Sequence, residues 1–275
     1  MDAQNVTPMM QQYLSAKEAH PNELLFFRLG DFYEMFFDDA KIAAKELGLT
    51  LTSRSGDLDK SPMCGVPYHA ADSYIARLVA KGFKVAIAEQ IGDPKAKGLT
   101  HREVVKVVTP GTTLSDEVLR DAANNYIALL HEKEDGTFVL AGADISTGES
   151  FYASYAGENA AQQMLDELYR RMVAELLMTE GFSLADDVRA FAVQRLPHCA
   201  IEAVAPQIDD ELLVQHFPAA EIPTDAGTRT AVATLLRYLH DTVMADLSQL
   251  NHLSFLDAAD TMQLDTYTLR NLEIT

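Results

Sequence analysis

Residues 24–37 read LLFFRLGDFYEMFF, and this stretch decides the fold of the first half of the chain. Leu24–Leu29 is a short apolar run bounded by a proline and a glycine, which predicts a buried strand. Gly30 permits a tight exit from that strand, because glycine tolerates a positive φ. The residues that follow lead into a predicted helix over Asp38–Leu47, which ends at Gly48.

The segment after Gly30 combines aromatic and acidic side chains. If this segment is extended, side chains two residues apart share a face, so Phe32 and Glu34 point one way and Tyr33 points the other. An aromatic ring and a carboxylate then stand side by side at a surface. The structural alternative is that the clustered aromatics are simply core, as such clusters usually are.

The flanking sequence completes a first α/β domain. Thr7 followed by Pro8 is an N-cap and a first-turn proline, which predicts a helix to about His20. A second amphipathic helix is predicted over Ala70–Ala80. Further strands are predicted at Leu49–Thr52, Lys84–Ala88 and Val104–Val108. This order indicates a mixed sheet flanked by helices, which closes near residue 112.

The second half changes pattern. Three antiparallel strands are predicted in succession, at Tyr126–His131, Thr137–Ile145 and Glu149–Tyr155. A helix over Glu158–Val173, a strand over Glu175–Met178 and a long helix over Thr228–Met244 follow. This order predicts a second mixed α/β domain of RNase H-like type. We therefore expect domains at 1–112 and 125–248, a linker at 113–124, and at 249–275 a linker with the truncated start of a further domain.

Charge is distributed unevenly along the chain. The net charge is −19, yet residues 1–115 hold 13 Lys and Arg against 14 Asp and Glu, while residues 116–275 hold 9 against 27. Residues 41–106 alone hold 11 basic residues against 7 acidic ones. Such asymmetry indicates nucleic-acid contact in the first half, although lysines on solvated helix faces are common.

Composition excludes several classes of protein. No apolar run approaches the roughly 20 residues of a membrane helix, so membrane insertion and secretion are not expected. Cys64 and Cys199 are the only cysteines, too few for a zinc cluster or a disulfide framework. We expect a cytoplasmic protein, with buried free thiols and no metal site in this chain.

Six segments together resemble the bacterial MutS family, in order and approximate spacing from Thr7 to the end of the chain. They are TPMMQQY (7–13), GDFYEMF (30–36), GVPYHA (65–70), EQIGDP (89–94), VVTPGT (107–112) and RNLEIT (270–275). The second domain is matched mainly by position and by Asp144–Gly148, and residues 156–226 contain no segment we can match. The resemblance implies mismatch recognition that initiates DNA mismatch repair.

In that family a phenylalanine is inserted beside a mispaired base and a nearby glutamate hydrogen-bonds the base. The resemblance carries these roles to Phe32 and Glu34. It also places Arg54 and Arg102 near the DNA backbone, and the loop with Met63 and Pro67 near the wedge. Weaker candidates for backbone contact are Lys81, Lys84 and Lys106. A solvated surface charge is an equally good interpretation of each of them.

The resemblance also implies what lies outside this chain. MutS-like proteins continue into an ATPase domain, and no G-x-x-x-x-G-K-[ST] loop occurs here. We expect this chain alone neither to bind nor to hydrolyse ATP, so ATP and Mg²⁺ belong to the full-length protein. Implied partners are mismatched duplex DNA, a second MutS-type subunit bound through other domains, and a MutL-type protein docked on the second, connector domain. Association with the bacterial nucleoid is implied too.

Two rival functions stay open at this point. Asp144 and Glu149 lie on adjacent predicted strands, and paired carboxylates that bind Mg²⁺ are typical of metal-dependent nucleases. Alternatively, the acidic second half serves as a protein-interaction module without a DNA role.

Overall fold

A computed structural model of the chain describes residues 7–53, 61–92, 100–113, 124–197 and 199–257. The chain divides into two compact units, the first made of residues 1–122 and 241–244 and the second of residues 123–240 and 245–275. Each unit contains one six-stranded sheet with helices packed against it. The prediction of two mixed α/β domains is therefore confirmed, while the exact domain and linker boundaries stay predictions.

The first unit has six strands, three α-helices and a short 3-10 helix at Tyr68–Ala70 among its described residues. In chain order the strands and α-helices are α1 (Pro8–Ala19), β1 (Leu24–Leu29), β2 (Phe32–Phe36), α2 (Phe37–Leu47), β3 (Thr52–Ser53), β4 (Pro62–Pro67), α3 (Ala71–Val79), β5 (Val85–Ile91) and β6 (His101–Val108). The strand order across the sheet is β3-β4-β2-β1-β5-β6. Only β1 and β5 run parallel, and the other neighbours are antiparallel, so the sheet is mixed.

The two faces of this sheet are covered by different helices. Helices α2 and α3 pack on one face, against buried side chains that include Phe26, Tyr33 and Met35. Helix α1 packs on the opposite face, where Tyr13 makes edge contacts with Phe27 and Phe36 at centroid distances of 5.4 and 4.9 Å. Alternation along β2 therefore assigns Phe32 and Glu34 to the face of α1.

Local sequence signals correctly predicted where α1 begins and where α2 ends. The Thr7 hydroxyl accepts a hydrogen bond from the Met10 amide at 3.4 Å, as an N-cap should. Helix α2 ends at Gly48, whose φ of +72° is the left-handed C-cap conformation.

Strand β4 is the main element that sequence reasoning missed. Its six residues contain two prolines and a glycine, a composition that is unfavourable for a strand, and the sequence predicted a loop that holds Met63 and Pro67. Pairing with β2 over five residues overrides that preference. The strand predicted at Leu49–Thr52 is likewise displaced, since β3 contains only Thr52 and Ser53.

The second unit has six strands and four helices among its described residues. They are β7 (Ile127–Glu132), β8 (Phe138–Asp144), β9 (Glu149–Tyr155), α4 (Ala160–Arg170), β10 (Glu175–Thr179), α5 (Ala185–Arg195), β11 (Ala200–Val204), α6 (Asp210–His216), α7 (Ala226–Val243) and β12 (Ser254–Phe255). The sheet order is β11-β10-β7-β8-β9-β12. Three antiparallel strands followed by two parallel to the first are the RNase H-like arrangement that was predicted.

The ends of this unit extend the sequence prediction. Elements α5, β11 and α6 lie in the region that the sequence pattern left unassigned. Strand β12 pairs with β9, although it follows the predicted domain end at residue 248. A further domain was predicted to start within residues 249–275, and of this segment residues 258–275 lie outside the described residues.

Candidate nucleic-acid interface

Phe32 stands at the tip of the β1–β2 hairpin. Leu29 pairs with Phe32, and the two turn residues between them begin with Gly30, whose φ is +59°. A positive φ at this position is what a two-residue hairpin turn favours. The Phe32 side chain is 47% exposed, whereas Phe36, on the same face about 13 Å along the strand, is 2% exposed beneath α1. The aromatic cluster is therefore core at one end and surface at the other.

Pro67 and Gly65 on β4 lie beside this exposed end. The antiparallel register places Pro67 opposite Phe32 and Gly65 opposite Glu34. A Cβ at position 65 would stand 3.5 Å from the Glu34 Cγ atom, an ordinary van der Waals contact, and 3.1 Å from the Tyr33 carbonyl oxygen, a tight one. The Oε2 atom of Glu34 is shielded from solvent. The predicted wedge and the predicted base-reading carboxylate thus share one surface.

Arg102 reaches the same face from β6, three strands or about 14 Å across the sheet from β2. Its guanidinium lies 5.4 Å from the centre of the Phe27 ring. Its Nε donates to the Arg28 carbonyl at 2.6 Å and its Nη1 to the Thr100 carbonyl at 2.9 Å. Burial lowers the pKa of Arg102. The Arg102 side chain is consequently held in a fixed position on the sheet face that contains Phe32.

The other residues predicted to contact DNA do not lie close to Phe32. Met63 is on the same sheet face as Phe32 but lies opposite Phe36, at the end of the strand that α1 covers. Lys81 follows α3, on the opposite face, and its Nζ binds the Glu46 carboxylate at 2.8 Å.

Two further lysines and one arginine complete the predicted set. Lys84 precedes β5, and its carbonyl accepts from the Leu24 amide, at the end of β1 remote from Phe32. Lys106 pairs with Ile87, a residue that packs on the α2 and α3 side. Arg54 lies outside the described residues, so its predicted backbone contact stays a prediction.

Sequence reasoning missed a cluster on the reverse side of the hairpin tip. Arg28 pairs with Tyr33 in the β1–β2 register, and its guanidinium lies 3.9 Å from the centre of the Tyr68 ring. Tyr33 donates a short hydrogen bond to Glu89, and burial, followed by that bond, raises the pKa of Tyr33 to about 12. Tyr68 belongs to the segment GVPYHA and Glu89 to the segment EQIGDP. Because these segments are far apart in the sequence, only the strand register shows that both residues belong to one cluster.

In the second unit, Asp144 and Glu149 face each other across the β8–β9 hairpin but are engaged in structural bonds. Asp144 is fully buried and accepts from the Asn125 amide at 3.0 Å and from the amide and hydroxyl of Ser146 at 2.8 and 2.6 Å. Glu149 accepts from the Tyr126 hydroxyl at 2.6 Å and from Arg171 at 3.0 Å. This geometry disfavours a shared metal.

Two searches over the described residues gave negative results. Within the ranges that the structure covers, no group of three or more His, Cys, Asp or Glu side chains is arranged to hold a metal ion. Among the helices of those same ranges, none is both long and apolar enough to cross a membrane.

The fold and the site define a class: a two-unit α/β protein that presents an exposed aromatic ring, a carboxylate and a fixed arginine on one sheet face, joined to an RNase H-like unit. The family model described as MutS domain I matches residues 7–117. The family model described as MutS domain II matches residues 125–254. The chain belongs to the MutS family.

Curated relatives agree with this assignment. The chain is similar to proteins named DNA mismatch repair protein MutS from Brevibacillus brevis, 44% identical over 271 residues, and from Desulforamulus reducens, 42% identical over 279 residues. A third, from Pelotomaculum thermopropionicum, is 41% identical over 276 residues. These alignments cover 97–98% of this chain but only 30–32% of each relative. The chain therefore spans about a third of the length of the relatives it matches.

Proposed function

We propose that this chain recognises mispaired or looped-out bases in duplex DNA, with Phe32 as the inserted wedge, and so contributes to the initiation of mismatch repair. The observation that carries the proposal is the exposure of Phe32, 47%, on a sheet face where the strand residues Phe27 and Phe36 are buried. A large apolar side chain held at a hairpin tip costs hydration free energy unless something covers it. A base step in DNA is a suitable cover, since every base offers a π-face.

The wedge discriminates through deformation energy. Inserting an apolar side chain between base pairs costs a few kcal/mol of unstacking, which additional backbone contacts along the bent duplex offset. Mispaired bases are already poorly stacked, so the same insertion costs less at a mismatch. No sequence code is needed, and the preference follows the quality of pairing.

Glu34 adds selectivity on the same surface. A carboxylate opposes binding wherever it meets only phosphates or engaged base edges, whereas a displaced base offers it a hydrogen-bonding partner. If the base offers an acceptor, Glu34 must be protonated, and desolvation by DNA together with phosphate repulsion favours that form. Glu34 therefore penalises well-paired DNA more than mismatched DNA.

Positively charged side chains are proposed to bind the DNA backbone at this face. Arg102 holds a fixed position on it, and Arg54 is proposed as a second backbone contact from its place in the sequence. Met63 and Pro67 are proposed as groove contacts, and Lys81, Lys84 and Lys106 remain weaker candidates. Contacts to phosphates set register and affinity but carry no sequence information.

The longer protein is proposed to act as an ATP-dependent DNA clamp. The family models matched here are domains I and II, which cover residues 7–117 and 125–254. ATP with Mg²⁺, pairing with a second MutS-type subunit, docking of a MutL-type partner on the second unit and association with the nucleoid are proposals for that full-length protein. Clamp closure would supply much of the DNA affinity.

The test measures mismatch preference directly. Wild type, Phe32→Ala and the control Phe255→Ala, which removes a 57% exposed ring in the second unit, are titrated at low salt against matched and mismatched duplexes that carry 2-aminopurine beside the test site. Wild type and Phe255→Ala should favour the mismatch and raise its fluorescence through unstacking. Equal preference in wild type and Phe32→Ala would refute the wedge.

The nuclease alternative has its own test. Labelled duplex is incubated with the chain and Mg²⁺ or Mn²⁺, and cleavage is compared between wild type and Glu149→Gln. The hydrogen bonds of Asp144 and Glu149 lead us to expect no metal-dependent cleavage. Cleavage that Glu149→Gln abolishes would restore the nuclease hypothesis.

A further inference from the structure

The turn before Phe32 is tied down by groups that lie outside the turn itself. The Nε atom of Arg28 donates to the Gly30 carbonyl at 2.6 Å. The Tyr68 amide donates to the Asp31 carbonyl at 2.9 Å. Both carbonyls of the two-residue turn are therefore engaged, one by a side chain of β1 and one by the backbone that follows β4.

A second set of contacts joins Arg28 and Tyr68, the two residues that bind the turn carbonyls. The Arg28 guanidinium lies 3.9 Å from the centre of the Tyr68 ring and 5.4 Å from that of Tyr33. Its Nη1 atom is 3.7 Å from a Glu89 carboxylate oxygen. The Arg28 side chain is only 17% exposed, which strengthens its electrostatic contacts relative to those of a solvated arginine. The planar guanidinium can stack and donate at once, which an ammonium group cannot do as well.

The cluster around Arg28 lies on the side of the sheet opposite Phe32. Arg28 pairs with Tyr33, and Tyr33 points away from the face that holds Phe32. Arg28 is therefore placed to act on the turn and not on a base inserted beside Phe32.

We propose that Arg28 and Tyr68 are positioning residues that hold the hairpin tip rigid, so that Phe32 is presented to DNA in its inserting geometry. This inference rests on the proposed wedge function. A tip that moved freely would lose conformational entropy on insertion, whereas a preorganised tip has already lost it during folding. Rigidity also lets the ring push against a base stack without the hairpin yielding.

The experiment is a double-mutant cycle on the full chain. Arg28→Ala should lower the ratio of mismatch to homoduplex affinity about tenfold, or about 1.4 kcal/mol. In the Phe32→Ala background, Arg28→Ala should have no further effect on that ratio, because both changes act through one ring. Far-UV circular dichroism establishes that each variant is folded.

Conservative variants separate geometry from charge. Tyr68→Phe keeps the ring and should retain the preference, whereas Tyr68→Ala should lose it. Arg28→Lys keeps the charge but not the planar fork, and it should behave like Arg28→Ala. Hydrogen exchange of residues 29–34 in the absence of DNA should be faster in Arg28→Ala than in wild type, which measures rigidity independently of binding.

Two results would overturn the inference. One is wild-type mismatch preference in Arg28→Ala with unchanged hydrogen exchange. The other is an equal loss of affinity for both duplexes, reversed by Arg28→Lys and accompanied by a salt slope reduced by about one, which identifies a phosphate contact. If Phe32→Ala itself keeps full preference, the wedge proposal fails, while the exchange measurement still decides whether Arg28 rigidifies the turn.

Discussion

Glu34 on β2 lies directly opposite Gly65 on β4, and its Cγ atom is 3.5 Å from the point where a Cβ at position 65 would stand. The Tyr33 carbonyl oxygen is 3.1 Å from the same point. A Cβ at position 65 would therefore be in tight contact with the Tyr33 carbonyl and in ordinary van der Waals contact with the Glu34 side chain.

Substitution of Gly65 should displace the β2 backbone at Tyr33 and, with it, the adjacent Glu34 side chain. Gly65→Ala places a methyl group against the Tyr33 carbonyl and the Glu34 side chain, so we expect a stability loss of about 1 kcal/mol together with reduced mismatch preference. Urea unfolding and competition binding measure the two effects. In a Glu34→Ala background the further loss of preference should vanish, and an undiminished loss there would contradict a role for Glu34 displacement.

Phe32 and Phe36 should separate function from stability, although they lie on one face of one strand. Phe36→Ala removes a ring that is 2% exposed and should cost about 3–5 kcal/mol of unfolding free energy. Phe32→Ala removes a ring that is 47% exposed and should cost about 1 kcal/mol or less. Urea titrations of both variants provide the comparison. A Phe32→Ala loss as large as that of Phe36→Ala would return Phe32 to the core.

Arg171 should be an important stabilising charge of the second unit. It stacks 3.7 Å from the centre of the Phe151 ring and binds Glu167 at 2.8 Å and Glu149 at 3.0 Å. Burial lowers its pKa, but the bonds to Glu167 and then Glu149 more than offset this and raise it above the usual value.

Arg171→Ala removes the arginine that binds Glu149 and one of the two arginines that bind Glu167, so we expect a loss of about 2–3 kcal/mol, since Glu149 remains 39% exposed. Thermal and urea unfolding measure this loss. The matched control is Arg189→Ala, which removes an arginine whose partner Asp186 is fully exposed, and it should leave stability unchanged. Equal losses in the two variants would show that the buried network contributes nothing specific.

Acidification should destabilise the second unit partly through His131. Burial, followed by the nearby Lys133 charge, lowers the pKa of His131 below 6.5, and its Nδ1 lies 3.1 Å from the Thr179 hydroxyl. The folded state thus favours the neutral ring. Its contribution to stability is fully present above pH 6.5 and is lost as the pH falls through the folded-state pKa.

We therefore expect the unfolding free energy of wild type to fall between pH 7.5 and 5.5, and His131→Gln to reduce that fall. Asp209 and Glu221 do not account for this window, because their pKa values are lowered from 3.8 and 4.5 and their contributions are lost only at more acid pH. Urea titrations at the two pH values measure both slopes. Identical slopes in wild type and variant would contradict the role of His131.

Much of the fold followed from local pattern. Nearby residues alone were enough to predict three features: the strand at Leu24–Leu29, the N-cap at Thr7 and the helix end at Gly48. The three antiparallel strands of the second unit were marked by alternation and turn residues. Strand β4 was missed, because its prolines and glycine oppose a strand locally and only pairing with β2 makes it one.

The candidate site divides in the same way. The pair Phe32 and Glu34 could be predicted, since period-two alternation places them on one face. The choice between core and surface could not, because it depends on how far α1 extends over that face. Lys81 and Lys84 were grouped with the wedge by charge, yet the topology places them at the opposite face and the far end of the sheet.

By itself, the sequence determined the type of most elements, the two α/β units and the shared face of Phe32 and Glu34, since propensity, capping and alternation act over a few residues. Only the tertiary structure decided that Phe32 is exposed, that Gly65 lies opposite Glu34, and that the Arg28 guanidinium stacks on the Tyr68 ring. These relations join positions up to 40 residues apart, and strand pairing and helix coverage set them through packing that no local pattern encodes.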